Sequence, residues 1–292
     1  MDYKGGNVVF IVGSGRSGTT WLQRLLASHP KVRTGQESNL FSQYIGPQLR
    51  NWHAEERTLA WNRGGIGMQC YFETDQFISI LKEHMLKLMQ PMIGQLREGE
   101  IFVEKSPDHS YWMSEISELL PDARFIHILR DGRDVAASFI AASKSHGTAW
   151  APKSGRWAAM WWVQAVRAVQ DGKKKIPRDK FAEVRYEQLR ATPNNELRRL
   201  SDFMGLDWKD EDIERAVKSN EPNTFRETGA AIPLAGNFGK ISGPVVKEPE
   251  GFVRRAKAGS WKQDLSTVQK VQVWIYARKT MREVGYSWTW PF

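Results

Sequence analysis

Residues 8–21, VVFIVGSGRSGTTW, constrain the fold more than any other stretch of the chain. Five apolar, mostly β-branched residues, Val8 to Val12, read as a buried parallel strand. A turn carrying Gly13, Gly15 and Gly18 follows at once, and Thr19 and Thr20 open a segment with Trp21, Leu22, Leu25 and Leu26 at helical spacing. Strand, glycine loop and helix together bring backbone N–H groups and a helix N-terminus onto a phosphate. A side chain at the glycines would hold the backbone away from the anion. Gly13 and Gly18 have the Walker A spacing, but Thr19 stands where that loop has its lysine, and the nearby cation is Arg16. The loop is therefore expected to take a phosphate-bearing ligand, though not Mg-ATP in the Walker manner.

Four further strands are expected, each with residues able to do chemistry at or just after its end. Lys31-Val32-Arg33 is a candidate second strand, and Glu37 lies just after it. Parallel βα units place such post-strand residues at the carboxyl edge of the sheet, beside the phosphate loop. Glu37 thus reads either as a base or as a first-turn carboxylate favoured by a helix dipole. Ile101-Phe102-Val103 is a third strand, followed by Lys105 and His109 as site candidates. Residues 124–130 form a fourth, with His127 inside it as a core residue, Arg130 at its end and Ser138 eight residues on. An arginine fork plus a hydroxyl suits a second phosphate. Residues 181–186 make a fifth strand.

Helical patterns cover residues 75–96, with Pro91 expected to kink or break the helix, and residues 157–169, 193–204 and 267–284. Residues 51–74, with Arg63-Gly64-Gly65-Ile66-Gly67, read as a loop. Residues 220–258 hold four prolines and five glycines and read as a lid. The expectation is an α/β fold: one domain over residues 1–292, a flexible start at 1–6, and a central parallel sheet of about five strands with helices on both faces.

The motif Gly15-Arg16-Ser17-Gly18-Thr19-Thr20-Trp21 resembles the 5′-phosphosulfate loop of sulfotransferases that use 3′-phosphoadenosine-5′-phosphosulfate (PAPS). That resemblance implies a fold related to nucleotide kinases, with no metal and no ATP. Cytosolic members carry Lys at the place of Arg16, whereas Arg resembles tyrosylprotein, carbohydrate and many bacterial members. The resemblance assigns Arg16, Ser17, Gly18, Thr19 and Thr20 to the phosphosulfate, and Arg130 and Ser138 to the 3′-phosphate. It also places Trp21 on the adenine, Tyr186 near it, and Lys105 at the transferred group. In tyrosylprotein sulfotransferases a Glu in a place similar to that of Glu37 is the base. Cytosolic members carry a catalytic His two residues after the lysine; here that residue is Pro107, and His109 is the nearest histidine. Arg254, Arg255 and Gly259 resemble the C-terminal element that covers the 3′-phosphate, with Ala256 in place of its first glycine.

The 292 residues carry a formal net charge of +9, which suits an anionic cofactor or substrate, nucleic acid or a membrane surface. The single Cys70 excludes an intrachain disulfide framework and fits a reducing, cytoplasmic setting. The start is too short and polar for a signal peptide, and no apolar run approaches the ~20 residues of a membrane span. No His, Cys or carboxylate set has metal-ligand spacing. The resemblance implies sulfuryl transfer to a hydroxyl or amine, and the many aromatics with no apolar anchor favour a soluble small molecule over a peptide or glycan as acceptor. The rivals are a kinase on a related scaffold and a basic nucleic-acid-binding protein, the latter without any helix-turn-helix, zinc or RNA-recognition signature.

Overall fold

Val8–Val12 is the middle strand, β1, of a five-stranded sheet with order β2-β3-β1-β4-β5, in which every adjacent pair is parallel. The other strands are β2 Val32–Thr34, β3 Ile101–Lys105, β4 Arg124–Leu129 and β5 Phe181–Arg185. The computed structural model describes residues 3–62, 67–221 and 258–286, excepting the side chains of residues 58–62. Alternation along β1 serves two faces. Val9 and Ile11 pack with Leu22, Leu25 and Leu26 of helix α1, Thr19–Ala27, and with Leu197 and Leu200. Val8, Phe10 and Val12 pack on the opposite face with Phe41, Met85 and Ile116. Burial on both faces is why the strand is apolar at every position.

Between β2 and β3 lie a π-helical segment, Leu40–Ile45, and the helices α2 Gly46–Asn62 and α3 Thr74–Ile93. Helix α4, Met113–Leu119, precedes β4, and α5 Gly132–Ala142 and α6 Gly155–Lys173 follow it. After β5 come α7 Tyr186–Ala191, α8 Pro193–Met204 and α9 Asp210–Ser219, then α10 Trp261–Asp264 and α11 Thr267–Glu283. Helices α5, α6 and α11 share a separate apolar cluster around Trp162, Val273 and Met281. Helix α8 stops as expected at Gly205, whose φ of +73° is left-handed.

Two expectations are corrected. The first half of the expected loop over residues 51–74 is helix, because α2 continues directly from the π-helical segment and runs to Asn62. Its surface is largely polar, and it is held by Leu49 and by Trp52, whose ring stacks on Phe77 at 4.1 Å. Pro91 does not break α3 but falls in its last turn, and the helix ends at Ile93 instead of 96. Residues 63–66 lie outside the described residues, as do Arg254, Arg255 and nearly all of the expected lid.

The strand order places the topological switch beside β1. The chain leaves β1 towards β2 and leaves β4 towards β5 on the other side. Ligands of open parallel sheets lie outside the carboxyl ends of such strands. Here those ends carry the glycine loop, residues 13–18, and the turn starting at Arg130.

Candidate active site

The loop after β1 is held tightly against its neighbours. The Gly13 amide donates to Ser110 Oγ at 2.8 Å, and a Cβ on Gly13 would lie 2.6 Å from the Ile128 carbonyl. Arg16 adopts φ +67° and Gly18 +97°, so the chain reverses through two left-handed residues. A Cβ on Gly18 would meet the Tyr186 ring at 2.7 Å. Thr19, at the Walker lysine position, is buried. Ser17 Oγ is buried and has no hydrogen-bond partner among the described residues. An orphaned buried hydroxyl in a loop of turned amides calls for an acceptor, which an anionic ligand provides.

The turn after β4 joins this loop. Arg130 lies with its guanidinium 4.1 Å from the centre of the Tyr186 ring, and its Nη1 donates to the Arg16 carbonyl at 3.2 Å. Its own carbonyl accepts from Trp162 Nε1 at 3.0 Å, which anchors the strand end to α6. Arg16 Nε donates to Ser138 Oγ on α5 at 3.1 Å. The two expected phosphate elements are thus one continuous cluster. Tyr186 packs edge-on against Trp21 at 5.7 Å, and the Trp21 indole donates to the Asn220 carbonyl at 2.9 Å. Burial raises the Tyr186 pKa, against the pull of the Arg130 and Arg190 charges. Glu187 accepts from the Asp131 amide at 2.9 Å and from Tyr286 Oη at 2.7 Å, fixing the turn.

The ends of β2 and β3 form the adjoining wall. Lys105, buried, donates through Nζ to Glu37 Oε1. The Glu37 side chain is 45% exposed, so an acceptor can reach it. His109 is different: its side chain is 0% exposed, with Nδ1 2.8 Å from Glu104 Oε2. Its Nε2 accepts from the Phe41 amide at 3.2 Å. The ring is wholly enclosed, with Nε2 on the Phe41 amide and Nδ1 beside Glu104, so the structure does not bring His109 to the cleft as a base. His127 is likewise internal, paired with Glu183 at 3.0 Å.

Several neighbours carry no sequence signal for this site. Burial, then the negative charge of Glu37, raises the Asp108 pKa. Burial and the Arg16 charge lower that of His146. Asp134, buried, accepts from the Gly259 amide at 2.7 Å and the Trp261 amide at 2.9 Å, so the Gly259 turn is pinned to α5. Burial raises the Asp134 pKa, opposed by Arg130 and these amides. Each contact joins residues far apart in sequence, where no local pattern announces it.

Residues 8–210 match the model of the sulfotransferase family. Protein-tyrosine sulfotransferase of Drosophila melanogaster is 28% identical over 219 residues, covering 74% of this chain and 41% of that protein. Omega-hydroxy-beta-dihydromenaquinone-9 sulfotransferase of Mycobacterium tuberculosis is 26% identical over 244 residues, covering 68% and 62%. The chain thus spans about half the length of the curated relatives it matches. Among solved structures, a mouse sulfotransferase complexed with PAP (3′-phosphoadenosine-5′-phosphate) shares the fold at a TM-score of 0.60 and 13% identity, covering 96% of this chain and 87% of that one.

Proposed function

The chain belongs to the sulfotransferase family, and from that premise we propose that it moves a sulfuryl group from PAPS to an acceptor hydroxyl. The observation that carries this reading is the union of two phosphate-binding elements. Arg16 bonds to Ser138, and Arg130 bonds to the Arg16 carbonyl, at the switch point of the sheet.

The residues present fit the donor. Arg16, Ser17, Gly18, Thr19 and Thr20 would hold its phosphosulfate end through loop amides, hydroxyls and a guanidinium. Arg130 and Ser138 would hold the 3′-phosphate, with Gly259 alongside, and Trp21 and Tyr186 the adenine. The bound donor supplies an activated sulfuryl group on a good leaving phosphate. Lys105 and Arg16 offset negative charge at the transfer point, where preorganised cations act most strongly. Glu37, exposed beside Lys105, removes the proton of the attacking hydroxyl. Thr19, buried in the Walker lysine position, weighs against a kinase.

A soluble small molecule is one acceptor class for this site. The relatives named for protein tyrosine support a peptide phenol as the other. Incubation with 35S-labelled PAPS and a panel of tyrosine peptides, phenols and alcohols, without divalent metal, tests the proposal. Label should pass to a hydroxyl of at least one class. Label that reaches no acceptor, together with phosphate transfer from ATP, would overturn it.

A further inference from the structure

Glu104 and His109 have no part in the chemistry above, yet they lie buried beneath the two segments that carry its key side chains. Glu104 directly precedes Lys105, and Ser38 directly follows Glu37. Glu104 Oε1 accepts from Ser38 Oγ at 2.7 Å, from the Ser38 amide at 3.2 Å and from Ser106 Oγ at 2.7 Å. Ser106 Oγ in turn accepts from the Asn39 amide at 3.1 Å. The Leu40 amide donates to Ser38 Oγ at 3.2 Å, and the Phe41 amide to His109 Nε2 at 3.2 Å. Four consecutive amides, 38 to 41, therefore end on this one network.

The segment needs such support. Asn39 has φ +50°, and a π-helical segment, a rare conformation, begins at Leu40. An N–H donor at Nε2 requires a lone pair there, which leaves Nδ1, 2.8 Å from Glu104 Oε2, as the nitrogen that carries the ring proton. Phe10 and Phe41 meet the imidazole edge-on at 5.6 and 5.7 Å and fix its plane. Burial works against the Glu104 charge, but contact with His109 and the hydroxyls of Ser106 and Ser38 outweighs it and holds the pKa below the usual carboxylate range.

We propose that the buried Glu104–His109 pair is a positioning unit that docks residues 38–41 on the end of β3 and so fixes the Glu37 carboxylate beside Lys105. This rests on the reading of Glu37 as the base. The pair touches neither donor nor acceptor; it acts through the backbone it binds. Displacing a reacting group by about 1 Å can cost on the order of 100-fold in rate, so the unit's effect is read in kcat.

The test compares His109→Ala, His109→Gln, Ser38→Ala and Glu37→Gln, with PAPS as donor and a tyrosine peptide as the acceptor probe. Amide hydrogen exchange over residues 38–41 is measured on the same proteins. His109→Ala should lower kcat by about 10- to 100-fold with KM for PAPS nearly unchanged, and should expose the 38–41 amides. His109→Gln keeps a donor for Glu104 and an acceptor for the Phe41 amide, and should restore most of both. Ser38→Ala opens little space, so it reports even if His109→Ala fails to fold; it should slow kcat several-fold and raise exchange at Leu40. Parental kcat and exchange in folded His109→Ala and Ser38→Ala would overturn the proposal, as would a His109→Gln protein no better than the alanine variant. A parental rate for Glu37→Gln overturns the base reading instead, while exchange at 38–41 still judges the pair.

Discussion

Replacing Arg130 by alanine should weaken PAP binding by about 2–3 kcal/mol, roughly 30- to 150-fold. The figure follows from what the side chain does. Its guanidinium is almost fully buried at a strand end, stacked on Tyr186 and bonded to the Arg16 carbonyl. A partly desolvated charged donor to a phosphate oxygen is worth about 1.5–3 kcal/mol, and removal also loosens the loop that Arg16 closes. Stability should fall by a smaller amount, about 1–2 kcal/mol, because the cation–π contact and the hydrogen bond to the Arg16 carbonyl are lost while Trp162 still holds the backbone carbonyl. Arg130→Lys keeps the charge but not the fork, and should recover only part of the affinity. Isothermal calorimetry with PAP, alongside urea unfolding, separates the two effects. An alanine variant that binds PAP as tightly as the parent would refute the reasoning.

Three further outcomes follow from the same geometry. Gly18→Ala must place a Cβ 2.7 Å from the Tyr186 ring at φ +97°. It should lose about 1–2 kcal/mol in urea unfolding, and an unchanged midpoint would contradict this. Glu37→Gln should lower kcat by about 10²–10⁴-fold while calorimetric PAP affinity stays put; a parental turnover number would remove it as the base. Glu104 titrates near 4.5 when unfolded and lower in the fold. Its contribution is therefore complete above about 4.5 and is lost as pH falls through the lowered folded pKa, where the unfolded chain already binds the extra proton. Glu104→Gln should flatten the stability–pH curve over that window, measured by urea unfolding at stepped pH, and an equally steep curve would count against the assignment.

The sheet was legible because β1, β3 and β4 carry apolar runs and the strand ends carry residues with chemistry. Glu37, Lys105 and Arg130 follow β2, close β3 and follow β4, and parallel connections put such ends on one edge. Helix α2 was not legible: Leu49 and Trp52 anchor a mostly polar surface, so its periodicity is weak. His109 shows a different limit. Its place in sequence, four residues after Lys105, suits a base as well as a core residue, and only the depth of the chain around it decides. The Asp134 clasp on Gly259 and Trp261 joins residues 125 and more positions apart, and a buried carboxylate gives no local pattern for that.

The central claim is a site for two phosphate-type groups built without the Walker lysine, and its most direct test is binding of PAP against ATP by calorimetry in the absence of metal. The cluster of Arg16, Ser138 and Arg130 predicts that PAP binds far more tightly than ATP and that added Mg²⁺ does not strengthen it. Equal affinities for the two nucleotides, or PAP binding that requires Mg²⁺, would contradict the account.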